Sequence, residues 1–131
     1  MQKKYAIGQH GLLEIYPQDC GWLQDEQAIK QLLYQAAQAA QAHILTSHFH
    51  TFGGNGGVTG VLLLAESHMS IHTWPEYQYA AVDIFMCGRL SMQSAICVFQ
   101  QQLAGARIEI RLVQRGCTEE RQHSDCEEMA P

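Results

Sequence analysis

Val58-Thr59-Gly60-Val61-Leu62-Leu63-Leu64-Ala65 runs directly into Glu66-Ser67-His68-Met69-Ser70-Ile71-His72-Thr73-Trp74-Pro75-Glu76, and Tyr79-Ala80-Ala81-Val82-Asp83-Ile84-Phe85-Met86-Cys87 follows shortly after. The first run is apolar throughout, which predicts a strand buried on both faces. The last is a second strand, ending at Gly88. The run between them resembles neither an ordinary strand nor an ordinary loop. Two Ser, two His, one Thr and two Glu crowd into it, directly after a core strand. Polar groups beside a core are costly unless they are hydrogen-bonded or used.

Working outward, Gly53-Gly54-Asn55-Gly56-Gly57 is a turn of hairpin length, and no lysine follows it to make a phosphate loop. Before it, His43 to Phe52 has a strand-like mix. From Gln24 to Ala42, Ile29, Leu32, Leu33, Ala36, Ala37 and Ala40 recur at helical spacing, with Gln and Lys opposite. Gly11 to Tyr16 is a short strand closed by the turn residues Pro17, Asp19 and Gly21. Downstream, Ser91 caps a second helix reaching Leu103, and Ile96, Phe99 and Leu103 form its apolar stripe. Arg107 to Val113 sets Ile108, Ile110 and Leu112 against charged residues, as a half-exposed strand does. The order predicts an α+β fold: a two-layer sandwich, mainly antiparallel sheet, with two helices on one face. Residues 1–117 form one domain and 118–131 a polar tail. The sheet's other face is left for water or a partner subunit.

The chain has 131 residues, 47% hydrophobic and 16% charged, which suits one globular domain rather than a disordered chain. With 8 Lys+Arg against 13 Asp+Glu, the net charge of −5 argues against nucleic acid and anionic membranes as partners. The sign is compatible with a small cationic ligand. Apolar runs such as Gly60–Ala65 fall far short of the ~20 residues of a spanning helix, and no secretory leader is evident. Cys20, Cys87, Cys97, Cys117 and Cys126 are odd in number and contain no CxxC pair, so a reducing, cytoplasmic setting is expected.

Three chemistries fit the polar segment. It could be an edge strand with hydrogen-bonded histidines. His48 and His50, with His68 and His72, could hold a metal, although no carboxylates are placed to support such ligands and no metal is expected. A serine nucleophile is the third, but there is no GxSxG elbow.

Glu66-Ser67-His68-Met69-Ser70-Ile71-His72-Thr73-Trp74-Pro75-Glu76-Tyr77, with Tyr79–Phe85 and Cys87-Gly88, resembles the short prokaryotic S-adenosylmethionine decarboxylase family. The similarity is most specific over Val58–Gly88 and extends more loosely from Gly8-Gln9-His10 through the second helix. The resemblance implies self-cleavage between Glu66 and Ser67, giving a β chain of residues 1–66 and an α chain of 67–131. It implies that Ser67 becomes a pyruvoyl group, the cofactor, which forms a Schiff base with the substrate amine. His72 corresponds to the histidine that accepts a proton in processing, and Cys87 to the cysteine that donates one in catalysis. Thr59 stands where the family has a serine that hydrogen-bonds the processing intermediate. Glu14 and Glu76 match acids near the substrate, Glu76 at the ribose, and Phe52 matches an aromatic beside the adenine. A homodimer of processed αβ protomers is implied.

The chain departs from the family pattern in one place. Between Phe52 and Val58 the loop has one extra residue and no proline, and Thr59 replaces serine. The resemblance therefore implies S-adenosylmethionine decarboxylation for polyamine synthesis, with two alternatives. Some members use the same pyruvoyl chemistry on L-ornithine or L-arginine, and an unprocessed paralogue would be a non-enzymatic regulatory subunit.

Overall fold

The computed structural model describes residues 6–117; the tail expected from Thr118 lies outside them. Six strands form one sheet: β1 (Ala6–Tyr16), β2 (Ile44–Thr51), β3 (Val58–Leu64), β4 (Ser67–Trp74), β5 (Tyr79–Cys87) and β6 (Arg107–Cys117). Their order is β2-β3-β4-β5-β1-β6, and each neighbouring pair runs antiparallel. Helices α1 (Glu26–Ala39) and α2 (Met92–Gln102) pack side by side on one face. This is the α+β two-layer architecture expected.

Local chemistry accounts for the element ends. The Asp25 carboxylate accepts from the Ala28 N–H at 3.1 Å and caps α1. The Ser91 hydroxyl accepts from the Ser94 N–H at 3.2 Å and caps α2. Such caps are worth about 1 kcal/mol each. The α1 stripe of Ile29, Leu32, Leu33, Ala36 and Ala37 is buried, as are Ile96 and Phe99 of α2. They meet Leu13, Ile15, Leu62, Met69, Ile71 and Ile84 from the sheet. Burying each large aliphatic side chain contributes about 1.5–3 kcal/mol, which holds the layers together.

The structure differs from expectation in four places. Strand β3 is buried on one face only: Val58, Gly60, Leu62 and Leu64 are covered, while Leu63 is 44% exposed. The helices cover one side of the sheet, so the apolar residues of β3's other side lie bare. The polar run after Ala65 is a strand in its own right, β4, followed by the 3-10 turn Pro75–Tyr77. It is flanked on both sides by β3 and β5, so it is no edge strand. Its polarity reflects period-two alternation: Ser67, Met69, Ile71 and Thr73 are buried, and the residues between them face the open side. Strand β1 begins at Ala6 rather than Gly11, because β5 and β6 pair it from both sides. Helix α1 is shorter than the periodic run, since Gly21–Gln24 forms a separate 3-10 turn and Gln41 turns left-handed at φ 64°.

Strand register places the open-face side chains in rows. One row is Leu63, His68, Phe85, His10 and Val113; another is Thr59, His72, Ala81, Glu14 and Glu109. Among the described residues no helix is long and apolar enough to cross a membrane.

Candidate active site

The residues singled out from the sequence fall into two groups, one at each end of β4. The first is built on the β3–β4 hairpin. Leu64 pairs with Ser67, leaving Ala65 and Glu66 as a two-residue loop. Glu66 adopts φ 62°. That left-handed conformation costs a non-glycine residue ~1–2 kcal/mol, and it lies immediately before the bond in question. Ser67 is 8% exposed, and its Oγ accepts the backbone N–H of Cys87 at 3.2 Å. Cys87, at the end of β5, is half-buried with a free thiol. Arg89 reaches back to Glu66, Nη2 to Oε1 at 3.2 Å. A hydrogen bond with the Cys87 side chain, and then the Glu66 charge, raise the Arg89 pKa above its ordinary value.

The second group lies on the open face. Thr59 and His72 are opposed across β3 and β4, with Thr59 Oγ1 3.1 Å from His72 Nδ1. They line a cleft of about 410 Å³ with Phe52, Asn55, Trp74 and Glu76. Phe52 is 51% exposed, its ring edge-on to His50 at 4.6 Å. Trp74 stacks on Tyr79 at 5.5 Å between centroids. The Tyr79 hydroxyl donates to Glu14 Oε1, which lies two strands from His72 in the same row. Burial first, and then the Glu14 hydrogen bond and charge, push the Tyr79 pKa above the tyrosine range.

One chain therefore joins Glu66, Ser67 and Cys87, and separately Thr59, His72, Phe52 and Glu76. It does not join the two groups. Ser67 and His72 lie five steps apart along extended strand, about 16 Å, and this odd spacing turns them to opposite faces. Nor do the histidines weighed as metal ligands converge: among the described residues no three His, Cys, Asp or Glu do so. Sequence reasoning missed Asn55, Tyr79 and Arg89 as site residues. Arg89 was signalled by a charge two positions after Cys87. Trp74 forms a wall of the cleft.

A one-sided antiparallel sheet, with reactive groups at a hairpin and on the uncovered face, defines the chain as a two-layer α+β enzyme whose chemistry resides in the sheet. Residues 9–116 match the model of the family described as S-adenosylmethionine decarboxylase. The chain belongs to that family, and its enzyme class is that of carboxy-lyases. It is 46% identical over 101 residues to the S-adenosylmethionine decarboxylase proenzyme of Prochlorococcus marinus (strain MIT 9313), covering 77% of this chain and 80% of the relative. Against the proenzyme of the same description from Parasynechococcus marenigrum (strain WH8102) it is 44% identical over 110 residues, with 83% and 85% covered. Its fold matches the crystal structure of the adenosylmethionine decarboxylase from Aquifex aeolicus VF5 with a TM-score of 0.78 at 35% identity, covering 90% of this chain and 98% of that one.

Proposed function

We propose that the chain cuts itself between Glu66 and Ser67 and then decarboxylates S-adenosylmethionine, releasing CO2 and decarboxylated S-adenosylmethionine for polyamine synthesis. The observation that carries this is the hairpin. A left-handed Glu66 precedes a serine whose hydroxyl is held by the Cys87 N–H, beside a free thiol.

Self-cleavage proceeds by attack of Ser67 Oγ on the Glu66 carbonyl carbon. The C–N bond breaks, the nitrogen takes a proton, and the amide becomes an ester. A base removes the Ser67 Cα proton, expelling Glu66 as a carboxylate and leaving a dehydroalanine. Water converts this to a pyruvoyl group with loss of ammonia. A histidine suits the base because its pKa lies near neutrality. His72 is that residue, and the Thr59 hydroxyl at 3.1 Å orients its ring.

His72 cannot reach Ser67 of its own chain from about 16 Å away on the opposite face. We assign the role to His72 of a second copy, in a homodimer whose sites each combine the hairpin of one chain with the cleft of the other. The bare sheet face, with Leu63 and Val113 exposed, is the surface this pairing would cover.

The pyruvoyl ketone, once formed, supplies an electron sink for loss of the substrate carboxylate. Cys87 delivers a proton to the product carbon. Phe52 offers an aromatic face to adenine, Glu76 accepts from the ribose hydroxyls, and Glu14 adds negative charge for a cationic substrate. The free thiols of Cys20, Cys87 and Cys97 suit a cytoplasmic setting.

Mass spectrometry of the purified protein tests the first step. The expected species are residues 1–66 and residues 67–131, the latter blocked to Edman degradation. Only intact chain after long incubation would overturn the proposal. Parallel CO2-release assays with S-adenosylmethionine, L-ornithine and L-arginine test the second, and turnover of a free basic amino acid alone would overturn the substrate.

A further inference from the structure

The Gly53–Gly57 loop holds one side chain in a fixed orientation. Asn55 is tied at three points. Its backbone carbonyl accepts from Gln24 Nε2 at 2.5 Å, which fastens it to the Gly21–Gln24 turn. Its Oδ1 accepts the Gly57 N–H at 2.9 Å, and its Nδ2 donates to Glu76 Oε1 at 2.8 Å. The neighbours make this possible. Gly54 and Gly56 take φ 75° and 78°, and a Cβ on Gly57 would stand 2.8 Å from the Thr73 carbonyl oxygen. The Phe52 N–H closes the loop on the Gly57 carbonyl at 2.8 Å.

The amide has only one orientation that satisfies these bonds. A backbone N–H can only donate, so it must face the amide oxygen, and the amide NH2 must then face the carboxylate. Glu76 thus enters the cleft with a hydrogen-bond donor already seated on one oxygen.

We propose that Asn55 is a specificity-determining residue that presets Glu76 to accept a sugar diol and to refuse a guanidinium. This rests on the assignment of Glu76 to the ribose. A guanidinium binds a carboxylate best as a fork, with parallel N–H bonds to both oxygens. The Asn55 amide occupies one prong and opposes an incoming N–H with its own. A diol needs no rigid fork: its hydroxyls rotate, so one takes Glu76 Oε2 and the other turns to the lone pair of Oε1 that the amide leaves, which the fixed, planar fork of a guanidinium cannot do while also holding Oε2. The amide also fixes the carboxylate plane, which shortens the search for the diol. One side chain in the Gly53–Gly57 loop thereby separates S-adenosylmethionine from free arginine.

The test uses full-length, self-cleaved protein with Asn55→Asp and Asn55→Ser. Both replacements keep an oxygen for the Gly57 N–H and remove the amide N–H that reaches Glu76. KM for S-adenosylmethionine and the competitive Ki of L-arginine are measured for each, with Glu76→Gln alongside, and rates are normalised to the cleaved fraction. The expected result is a rise in KM of about tenfold with a smaller change in kcat, and a KM-to-Ki ratio shifted at least tenfold toward arginine. Values within twofold of wild type in both variants, while Glu76→Gln raises KM, would overturn the role of Asn55 and leave that of Glu76 standing. A silent Glu76→Gln would instead overturn the ribose assignment and this inference with it. Loss of cleavage in both Asn55 variants would assign the residue to loop folding and also overturn the inference.

Discussion

Ser67 directly follows a left-handed Glu66, with its oxygen already engaged by a backbone donor. Ser67→Ala is expected to leave the chain intact and inactive, since alanine has no oxygen to attack with; gel electrophoresis and a CO2 assay check this. Cys87→Ala should still cleave, because its N–H rather than its thiol holds Ser67, yet lose turnover by ~10²–10⁴, the usual worth of a general acid. A mutant rate within twofold of wild type would remove the thiol from the mechanism. Tyr79 makes a pH prediction. Its folded pKa lies above that of the unfolded chain, near 10, so the stability it lends is complete below pH ~10 and is lost as pH rises through the folded value. Thermal melts between pH 9 and 11 should show Tm falling more steeply in wild type than in Tyr79→Phe. The candidate residues Ser67, His72 and Cys87 were legible from the residue string because their motif is contiguous. Their separation in space was not, since it depends on where β4 begins: a strand starting at Ser67 puts residue 72 on the other face. The Asn55–Glu76 bond spans 21 positions, and no local pattern announces it.

At the scale of elements, helices were the most legible features. Stripe and cap lie within a few residues of each other, and Asp25 and Ser91 cap α1 and α2 as their side-chain chemistry dictates. Strands were less so, because the sheet's sidedness decides which half of an alternating pattern is covered. β3 was continuous in sequence and one-sided in space, whereas the polar half of β4 hid a strand. Gly60 exposes the same logic from the opposite direction. It faces Phe49 on β2, whose ring lies where a Cβ would be. Gly60→Ala must displace that ring, and overpacking of this kind costs ~1–3 kcal/mol. A urea titration should show a lower midpoint with an unchanged slope; an unaltered midpoint would mean that β2 yields freely. Thr73 is a quieter anchor in the same region. Its buried hydroxyl donates to the Leu23 carbonyl at 2.7 Å and accepts the Val58 N–H at 2.8 Å, joining the 3-10 turn, the start of β3 and the end of β4.

At the scale of the whole molecule, the two half-sites make a sharp demand on a mixture of mutants. Chains with Ser67→Ala retain His72, and chains with His72→Ala retain Ser67. Neither is expected to cleave alone. Co-expressed, a mixed dimer would hold one site with both residues, so the His72→Ala chain should be cut while the Ser67→Ala chain stays whole. No cleavage in the mixture would return the chemistry to a single chain. The strand order has a further consequence, one of timing. Residues 1–66 supply β2, β3 and β1; residues 67–131 supply β4, β5 and β6. Across the sheet these alternate at three ladders, β3–β4, β5–β1 and β1–β6. Before the proposed cut between Glu66 and Ser67, the sheet is assembled by one tethered chain at a rate indifferent to dilution. After it, the same ladders could be rebuilt only by collision of two pieces, each carrying unpaired edges prone to sticking elsewhere. A chain cut as proposed would thus be held by a barrier to leaving its fold, with the intramolecular route back removed, and its lifetime would be governed by how slowly it opens.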